Sequence, residues 1–238
     1  MWLAIYVVTP IVVLNIGVNS GISIHSAAVI ALVVLSIILL VYLLRTGIGS
    51  QIGLGVTSKV PILKMWIYLP LLILPGLPLI KGIRDDLTIF VAIMIVLHYL
   101  FVGFLEKVLF RGLLFHALLQ KGKVNWAVIV TALTFGFGHS ASLLIGQSSA
   151  DTTLQIINAM IVGLLFTAVV LKTGSLHAVI VIRILYNVVA EFSPSVESFD
   201  LLIPAILVLM NYGAWLFYGV GRDETSFTVQ ESKGILAP

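Results

Sequence analysis

Long apolar segments alternate with short polar loops along the whole chain. Eight such segments of 17 to 33 residues contain few charged positions, and most approach the roughly 20 residues that an α-helix needs to cross the hydrocarbon of a bilayer. The pattern predicts an all-α, polytopic membrane protein whose eight transmembrane helices form one bundle around a polar intramembrane cavity. The segments are Trp2–Val18, Ala27–Leu44, Pro61–Ile80, Leu87–Leu119, Val124–Ile145, Leu154–Leu171, Ser175–Phe192 and Leu201–Phe217.

Two of the segments are irregular. The fourth has 33 residues, which would extend roughly 50 Å as a helix, so we expect it to tilt strongly or to protrude. The third contains Pro70, Pro75 and Pro78, and proline inside a helix kinks it. We predict a single transmembrane domain over residues 1–220, followed by a polar tail over 221–238.

Composition supports this class of protein. Hydrophobic residues form 60% of the 238 residues and charged residues only 10%, and the mean hydropathy is +1.18. A soluble domain carries nearer a quarter charged residues, so the composition excludes a soluble, a disordered or a nucleic-acid-binding protein and leaves membrane lipids as partners. The chain has no cysteine, which excludes disulfides, thiolate catalysis and cysteine-ligated zinc.

The small net charge of +3 is informative through its distribution. Eight predicted spans place both termini on one side, and eight Lys and Arg residues fall on that side against two on the other. Because basic residues collect in cytoplasmic loops, we predict that both termini are cytoplasmic, in the plasma membrane if the cell is prokaryotic. The eight are Arg45, Lys59, Lys64, Lys121, Lys123, Lys172, Arg222 and Lys233, and the two are Lys81 and Arg84.

Four charged residues remain inside the predicted spans: Glu106, Lys107, Arg111 and Arg183. Charges within a bilayer are costly and usually face a bundle interior or a wet cavity. These positions are therefore the first candidates for a functional site.

Three polar residues on different helices lie at a similar predicted depth. Glu106, His139 and Asn187 are each 15 or 16 residues from the basic residue at the cytoplasmic end of their segment, or roughly 22–24 Å along a helix. Arg183 begins one turn nearer the cytoplasm, and its long side chain can reach the same layer. We predict that the three meet in one cavity that opens toward the cytoplasm.

Such a layer suits hydrolysis. A carboxylate in a partly dehydrated cavity can act as a general base on water, and a neighbouring histidine and asparagine can orient the water or stabilise an oxyanion. Only Glu106 and His139 are good metal ligands there, and Lys107 and Arg183 would repel a divalent cation. We therefore predict no cofactor and no bound metal, although zinc is not excluded.

Three motifs in this region resemble those of the CAAX protease and bacteriocin-processing family, also called the Abi family. The stretch from Glu106 to Arg111 resembles its E-E-x-x-x-R motif, and Phe135-x-x-x-His139 matches its F-x-x-x-H motif. The helix bearing Arg183-x-x-x-Asn187 resembles the one that carries its H-x-x-x-N motif. Order and spacing agree over about residues 85–192.

The resemblance implies an eight-helix intramembrane endopeptidase that cleaves a peptide or a lipidated protein. It implies that Glu106 activates water and that His139 and Asn187 support the water and the oxyanion. The motif arginine corresponds to Arg111, and Phe135 belongs to the second motif. These residues, with Lys107 and Arg183, form the predicted site.

Two positions depart from the family pattern. Lys107 stands in place of the second glutamate, and Arg183 stands in place of the third motif's histidine. We expect an ion pair between Glu106 and Arg183 that occupies the carboxylate with charge-assisted hydrogen bonds and weakens proteolysis. We expect Lys107 to turn away from Arg111 toward a wet vestibule, because the two side chains carry like charges one helical turn apart.

Three functions therefore remain open from the sequence. The first is a membrane endopeptidase of the CAAX-processing or bacteriocin-processing type, possessing full or weakened activity. The second is a non-catalytic relative that acts as a scaffold or an immunity protein through helix-mediated contacts with a membrane partner. The third is a transporter or proton relay, since buried Glu, His and Arg also mark those proteins.

Overall fold

The computed structural model describes residues 1–20, 24–55, 62–121, 124–194 and 199–222. Helices make up most of these ranges, and no strand occurs within them, so the predicted all-α class is confirmed there. The α-helices are α1 (Trp2–Ser20), α2 (Ile24–Thr46), α3 (Ile73–Leu79), α4 (Ile89–Glu106), α5 (Phe115–Leu119), α6 (Val124–Gly138), α7 (Ser149–Thr173), α8 (His177–Phe192) and α9 (Phe199–Arg222).

Four helical stretches in the described ranges are long and apolar enough to cross a membrane. They are Ala28–Thr46, Ile89–Leu119, Val124–Leu144 and Ser149–Thr173. Shorter apolar helices follow the pattern at Trp66–Leu79 and Pro204–Tyr218. The eight-span count is thus not confirmed, because several of the predicted segments form helices that are shorter than a full crossing. α8, for example, has 16 residues, or roughly 24 Å.

The two irregular segments have distinct structures. The proline-rich third segment is a 3₁₀ helix over Ile62–Leu72 that continues as α3, so the predicted interruption of a regular α-helix is present. The fourth segment is continuous from α4 to α5 through a π-helical stretch, Lys107–Leu114. Stretches with this wider hydrogen-bond pattern occur most often at functional sites.

Local signals fix the start of α4 and both ends of α7. The hydroxyl of Thr88 caps α4 by accepting a hydrogen bond from the Val91 amide at 3.3 Å. Ser148 caps α7 in the same way through the Asp151 amide at 3.1 Å. Gly174 ends α7 in the left-handed conformation, with φ of 67°, which glycine adopts without steric cost.

The packing brings α4 to the centre of one half of the bundle. α4 contacts both α2 and α8, and α7 contacts both α6 and α9. Gly103 permits the close approach of α4 to α8, because a Cβ at that position would lie 2.5 Å from Cγ1 of Ile184. The end of α4 therefore lies against the middle of α8 inside the bundle.

The predicted polar tail over 221–238 lies almost entirely outside the described residues, since α9 ends at Arg222. The same holds for Lys59, Lys123 and Lys233, which entered the prediction of topology. That topology stays a prediction.

Candidate functional site

Glu106 is the last residue of α4 and the start of the polar site. Its side chain is buried, with 5% of the residue exposed, although it follows an almost wholly apolar helix. The π-helical stretch that begins at Lys107 then directs Lys107 and Arg111 into the bundle as well, and both are buried. One short segment thus brings three charged side chains into the interior.

Arg183 of α8 binds Glu106 through two hydrogen bonds. Its Nε donates to Oε2 of Glu106 at 2.8 Å, and its Nη2 donates to Oε1 at 3.3 Å. Both residues are buried. The ion pair predicted from the sequence is therefore confirmed, and it is direct and bidentate, the strongest geometry for this kind of contact.

The prediction for Lys107 is wrong. Its side chain is fully buried rather than turned toward a vestibule, and its Nζ donates to Oε2 of Glu106 at 3.1 Å. The reason is that the carboxylate of Glu106 can accept several hydrogen bonds and compensates both Lys107 and Arg183. Repulsion from Arg111 is weaker than this attraction.

Phe135 of α6 lies at the middle of the cations. The centre of its ring is 4.0 Å from Cζ of Arg111, 4.5 Å from Nζ of Lys107 and 5.5 Å from Cζ of Arg183. Cations near the face of an aromatic ring are stabilised by its quadrupole. The predicted site residue Phe135 is therefore the aromatic partner shared by three positive charges.

His139 joins the same cluster from the end of α6. Its Nδ1 lies 3.0 Å from the carbonyl oxygen of Phe135, one turn earlier, and its ring packs edge-on against the Phe135 ring at 5.0 Å. His139 and Lys107, which binds Glu106, thus contact the same Phe135 ring. The predicted meeting of Glu106 with His139 stays a prediction.

Asn187 lies one turn beyond Arg183 on the same face of α8. It is half-buried and makes no hydrogen bond to any residue in the described ranges. The sequence-based prediction placed it in contact with the same cavity as Glu106 and His139. Its meeting with Glu106 and His139 stays a prediction.

Arg111 differs from the other charged residues of the site. It is 1% exposed, and none of its three guanidinium nitrogens has a hydrogen-bond partner among the described residues. Its contacts are aromatic, with Phe135 and, at 6.0 Å, Phe110. The predicted supporting role is therefore not one of binding Glu106.

Sequence reasoning missed Tyr6 and Phe166. The Tyr6 hydroxyl of α1 lies 3.5 Å from Oε1 of Glu106, and the Phe166 ring of α7 lies 5.3 Å from Nζ of Lys107. A tyrosine inside an apolar span was the available signal for Tyr6, because a hydroxyl in hydrocarbon needs a partner. Phe166 carries no signal that distinguishes it from other apolar residues.

A second polar contact joins α4 and α8 nearer the loop that precedes α4. The Tyr99 hydroxyl donates to Oε2 of Glu191 at 2.9 Å, and Nη1 of Arg84 lies 3.9 Å from Oε1 of Glu191. Arg183, Asn187 and Glu191 are spaced four residues apart, so α8 presents a polar stripe to α4.

A small cleft of about 20 Å³ is lined by Tyr186 and Asn158, with apolar residues from α3, α7 and α9 forming the rest. The Asn158 amide donates to the Tyr186 hydroxyl at 3.3 Å. This cleft is mostly apolar, so the polar cavity predicted around Glu106 stays a prediction.

The site offers little to a metal ion. No group of three His, Cys, Asp or Glu side chains within the described ranges could hold one. Both oxygens of Glu106 accept hydrogen bonds from cations, and those cations would repel a divalent ion. The expectation that the protein works without zinc is untested.

A comparison with protein families matches the part of the chain that contains this site. Residues 88–189 match the family model described as type II CAAX prenyl endopeptidase Rce1-like. This segment is similar to that family. It lies within the 85–192 stretch that carried the sequence resemblance, and it contains Glu106, His139, Arg183 and Asn187. No curated protein and no solved structure matches the chain. The matched segment thus includes the whole buried ion cluster except the Tyr6 hydroxyl.

Proposed function

We propose that the chain is an intramembrane endopeptidase of the CAAX-processing type, weakened by Lys107 and Arg183, that hydrolyses a peptide bond in a membrane-associated peptide or lipidated protein. The observation that carries the proposal is that the segment similar to the Rce1-like family buries Glu106 and packs His139 against the Phe135 ring, which also contacts Lys107, the partner of Glu106. A buried carboxylate near an imidazole is a suitable arrangement for general-base hydrolysis.

In the proposed reaction, Glu106 accepts a proton from water, and the resulting hydroxide attacks the carbonyl carbon of the substrate. The oxyanion that forms is stabilised by His139 and Asn187. The proton then passes from Glu106 to the leaving amine, which restores the carboxylate. No metal takes part in this scheme.

The ion pairs explain why we propose weak activity. Arg183 binds both oxygens of Glu106, and Lys107 binds Oε2. A carboxylate whose lone pairs are engaged by fixed donors is a poorer acceptor for a proton from water. Substrate binding must displace at least one of these donors before Glu106 can act as a base.

The same contacts favour a second candidate, a non-catalytic relative. If Arg183 never leaves Glu106, the protein acts as a scaffold or an immunity protein, through contacts with another membrane helix. The bidentate geometry at 2.8 and 3.3 Å is the observation that favours this reading.

Peptide cleavage by the purified protein separates the two. The substrate is a farnesylated peptide with a free CAAX carboxyl end, and cleavage is followed by mass spectrometry. The wild type should cleave slowly, Glu106→Gln should abolish cleavage, and the double variant Lys107→Glu with Arg183→His should cleave at least about tenfold faster, because about 1.4 kcal/mol of barrier corresponds to tenfold.

Two results would redirect the proposal. Cleavage that persists in Glu106→Gln would show that another group activates water. No cleavage by the wild type or by the double variant would favour the non-catalytic reading.

We also propose the finer topology: eight crossings, a polar cavity around Glu106, and both termini in the cytoplasm. Support comes from the charge distribution of the loops and from helices at each of the eight predicted positions.

A further inference from the structure

Arg111 presents an unresolved electrostatic problem. A guanidinium is always charged under physiological conditions, and this one is 1% exposed. Its Nε, Nη1 and Nη2 all lack a hydrogen-bond partner among the described residues. A buried charge left without partners is strongly destabilising. The ring of Phe135, 4.0 Å from Cζ of Arg111, offsets only a small part of this cost.

The carboxylate nearby cannot serve Arg111. Oε2 of Glu106 accepts from Arg183 and Lys107, and Oε1 accepts from Arg183 and lies near the Tyr6 hydroxyl. Glu106 is the one acidic residue among the buried polar residues described, beside three buried basic residues. With all four ionised, the cluster carries two excess positive charges.

The surroundings limit what could complete the cluster. Arg111 is bordered by Phe135 and by Gly163 of α7, where an added Cβ would lie 3.0 Å from Nη2. The Ala132 backbone lies on the same side of Gly163. This tight, apolar environment favours a small anion over one with a large hydration shell.

We propose that Arg111, with Lys107 one turn earlier, forms a buried site for one small monovalent anion, of the class that includes chloride and a carboxylate. Donor N–H groups in a low-dielectric interior bind such an anion more strongly than they do in water. A carboxylate matches the forked geometry of the guanidinium. The proposal does not rest on proteolysis, because nothing in it requires Glu106 to act as a base.

Thermal unfolding of the full-length protein in detergent tests the site. The protein is exchanged into sulfate, a divalent and strongly hydrated anion outside the proposed class, and chloride is then added at constant ionic strength. We expect chloride to raise the melting temperature of the wild type by about 2–4 °C, with a further rise as its concentration increases.

Two variants should abolish this response. Lys107→Glu supplies a carboxylate at the position four residues before Arg111, and Arg111→Met removes the unpartnered charge and still tests the site if Lys107→Glu does not fold. Arg45→Glu, an exposed position at the end of α2, makes the same change in net charge as Lys107→Glu and should keep the response.

The anion can come from solution or from the free carboxyl end of a bound peptide. A pair of peptides that differ only in a free or an amidated C-terminus separates these sources. A higher melting temperature with chloride identifies an anion from solution as the ligand. A higher melting temperature with the free-carboxyl peptide alone identifies the carboxyl end of a peptide as the ligand. The proposal is overturned if neither raises the melting temperature of the wild type, or if Arg111→Met responds as the wild type does.

Discussion

The carboxylate of Glu106 accepts hydrogen bonds from two cations and lies near the hydroxyl of Tyr6 on α1. Each donor comes from a different part of the chain, and only Lys107 is its sequence neighbour. Residue by residue, the site is therefore an ion cluster whose stability depends on the whole set of partners. Deleting one partner of a buried pair leaves the other charge uncompensated.

Arg183→Ala should lower the free energy of unfolding by about 3 kcal/mol, at the lower end of the range for a broken buried pair because Lys107 still binds Glu106. Unfolding in a denaturing detergent, followed by circular dichroism, measures this. The matched control is Arg84→Ala, since Arg84 is partly exposed and its ion pairs lie at 3.4 and 3.9 Å; its cost should stay below about 1 kcal/mol. Equal losses would contradict the role given to Arg183.

Phe135→Leu should destabilise the protein by about 2–4 kcal/mol, because it removes a buried ring that faces three cations. The same unfolding measurement applies. Phe137→Leu, two residues along α6 and 60% exposed, changes the same chemical groups at the lipid-facing surface and should have an effect within about 0.5 kcal/mol. A similar loss of unfolding free energy in both variants would contradict the role given to the Phe135 ring.

At the scale of elements, the site depends on the close crossing of α4 and α8. Gly103 is three residues before Glu106, and it lies against Ile184, the residue that follows Arg183. The crossing therefore sets the distance between the two charged partners. The Tyr99–Glu191 contact fixes the same pair of helices a few turns away, so the helices are held by polar contacts on both sides of the crossing.

Gly103→Ala should destabilise the protein by about 1–3 kcal/mol, because its Cβ would overlap Cγ1 of Ile184 and the helices must separate. Adding Ile184→Ala should restore part of the loss by removing that atom. Gly76→Ala is the control, since a Cβ there meets nothing within 4 Å and alanine favours a helix. If Gly103→Ala is as well tolerated as Gly76→Ala, the crossing is not tight.

The helices and the Glu106–Arg183 pair could be predicted from the sequence, because hydrophobic length and charge complementarity act locally and strongly. The orientation of Lys107 could not, since it depends on a π-helical stretch that no residue pattern announces. The Tyr6 contact depends on how α1 packs, which sequence spacing does not encode.

At the scale of the whole molecule, the outer surface is apolar. Many helical residues with large side chains are exposed, among them Ile30, Ile37, Ile89, Trp126 and Leu207. Soluble proteins rarely expose such continuous apolar surface, so lipid is the environment that this surface fits. The polar residues of the site are correspondingly gathered inside.

The cysteine-free chain permits a direct test of the number of crossings. Single variants Ser50→Cys, Ser149→Cys and Ser195→Cys are treated in intact cells with a membrane-impermeant maleimide. Eight crossings with cytoplasmic termini predict labelling at positions 149 and 195 but not at 50. If only the four stretches that are long and apolar enough to span a membrane cross it, positions 50 and 149 share one side, and equal labelling at these two would refute the eight-span topology.

The contact between Glu106 and Lys107 also has a consequence for biosynthesis. Arg183 follows Glu106 by 77 residues, which a ribosome adds in roughly 4–15 seconds at about 5–20 residues per second. During that interval α4 must enter the bilayer without its eventual partner helix. Lys107, at 3.1 Å, gives the carboxylate a counter-charge within the same nascent segment. The substitution that weakens the proposed catalytic base would thereby ease the insertion of the helix that carries it.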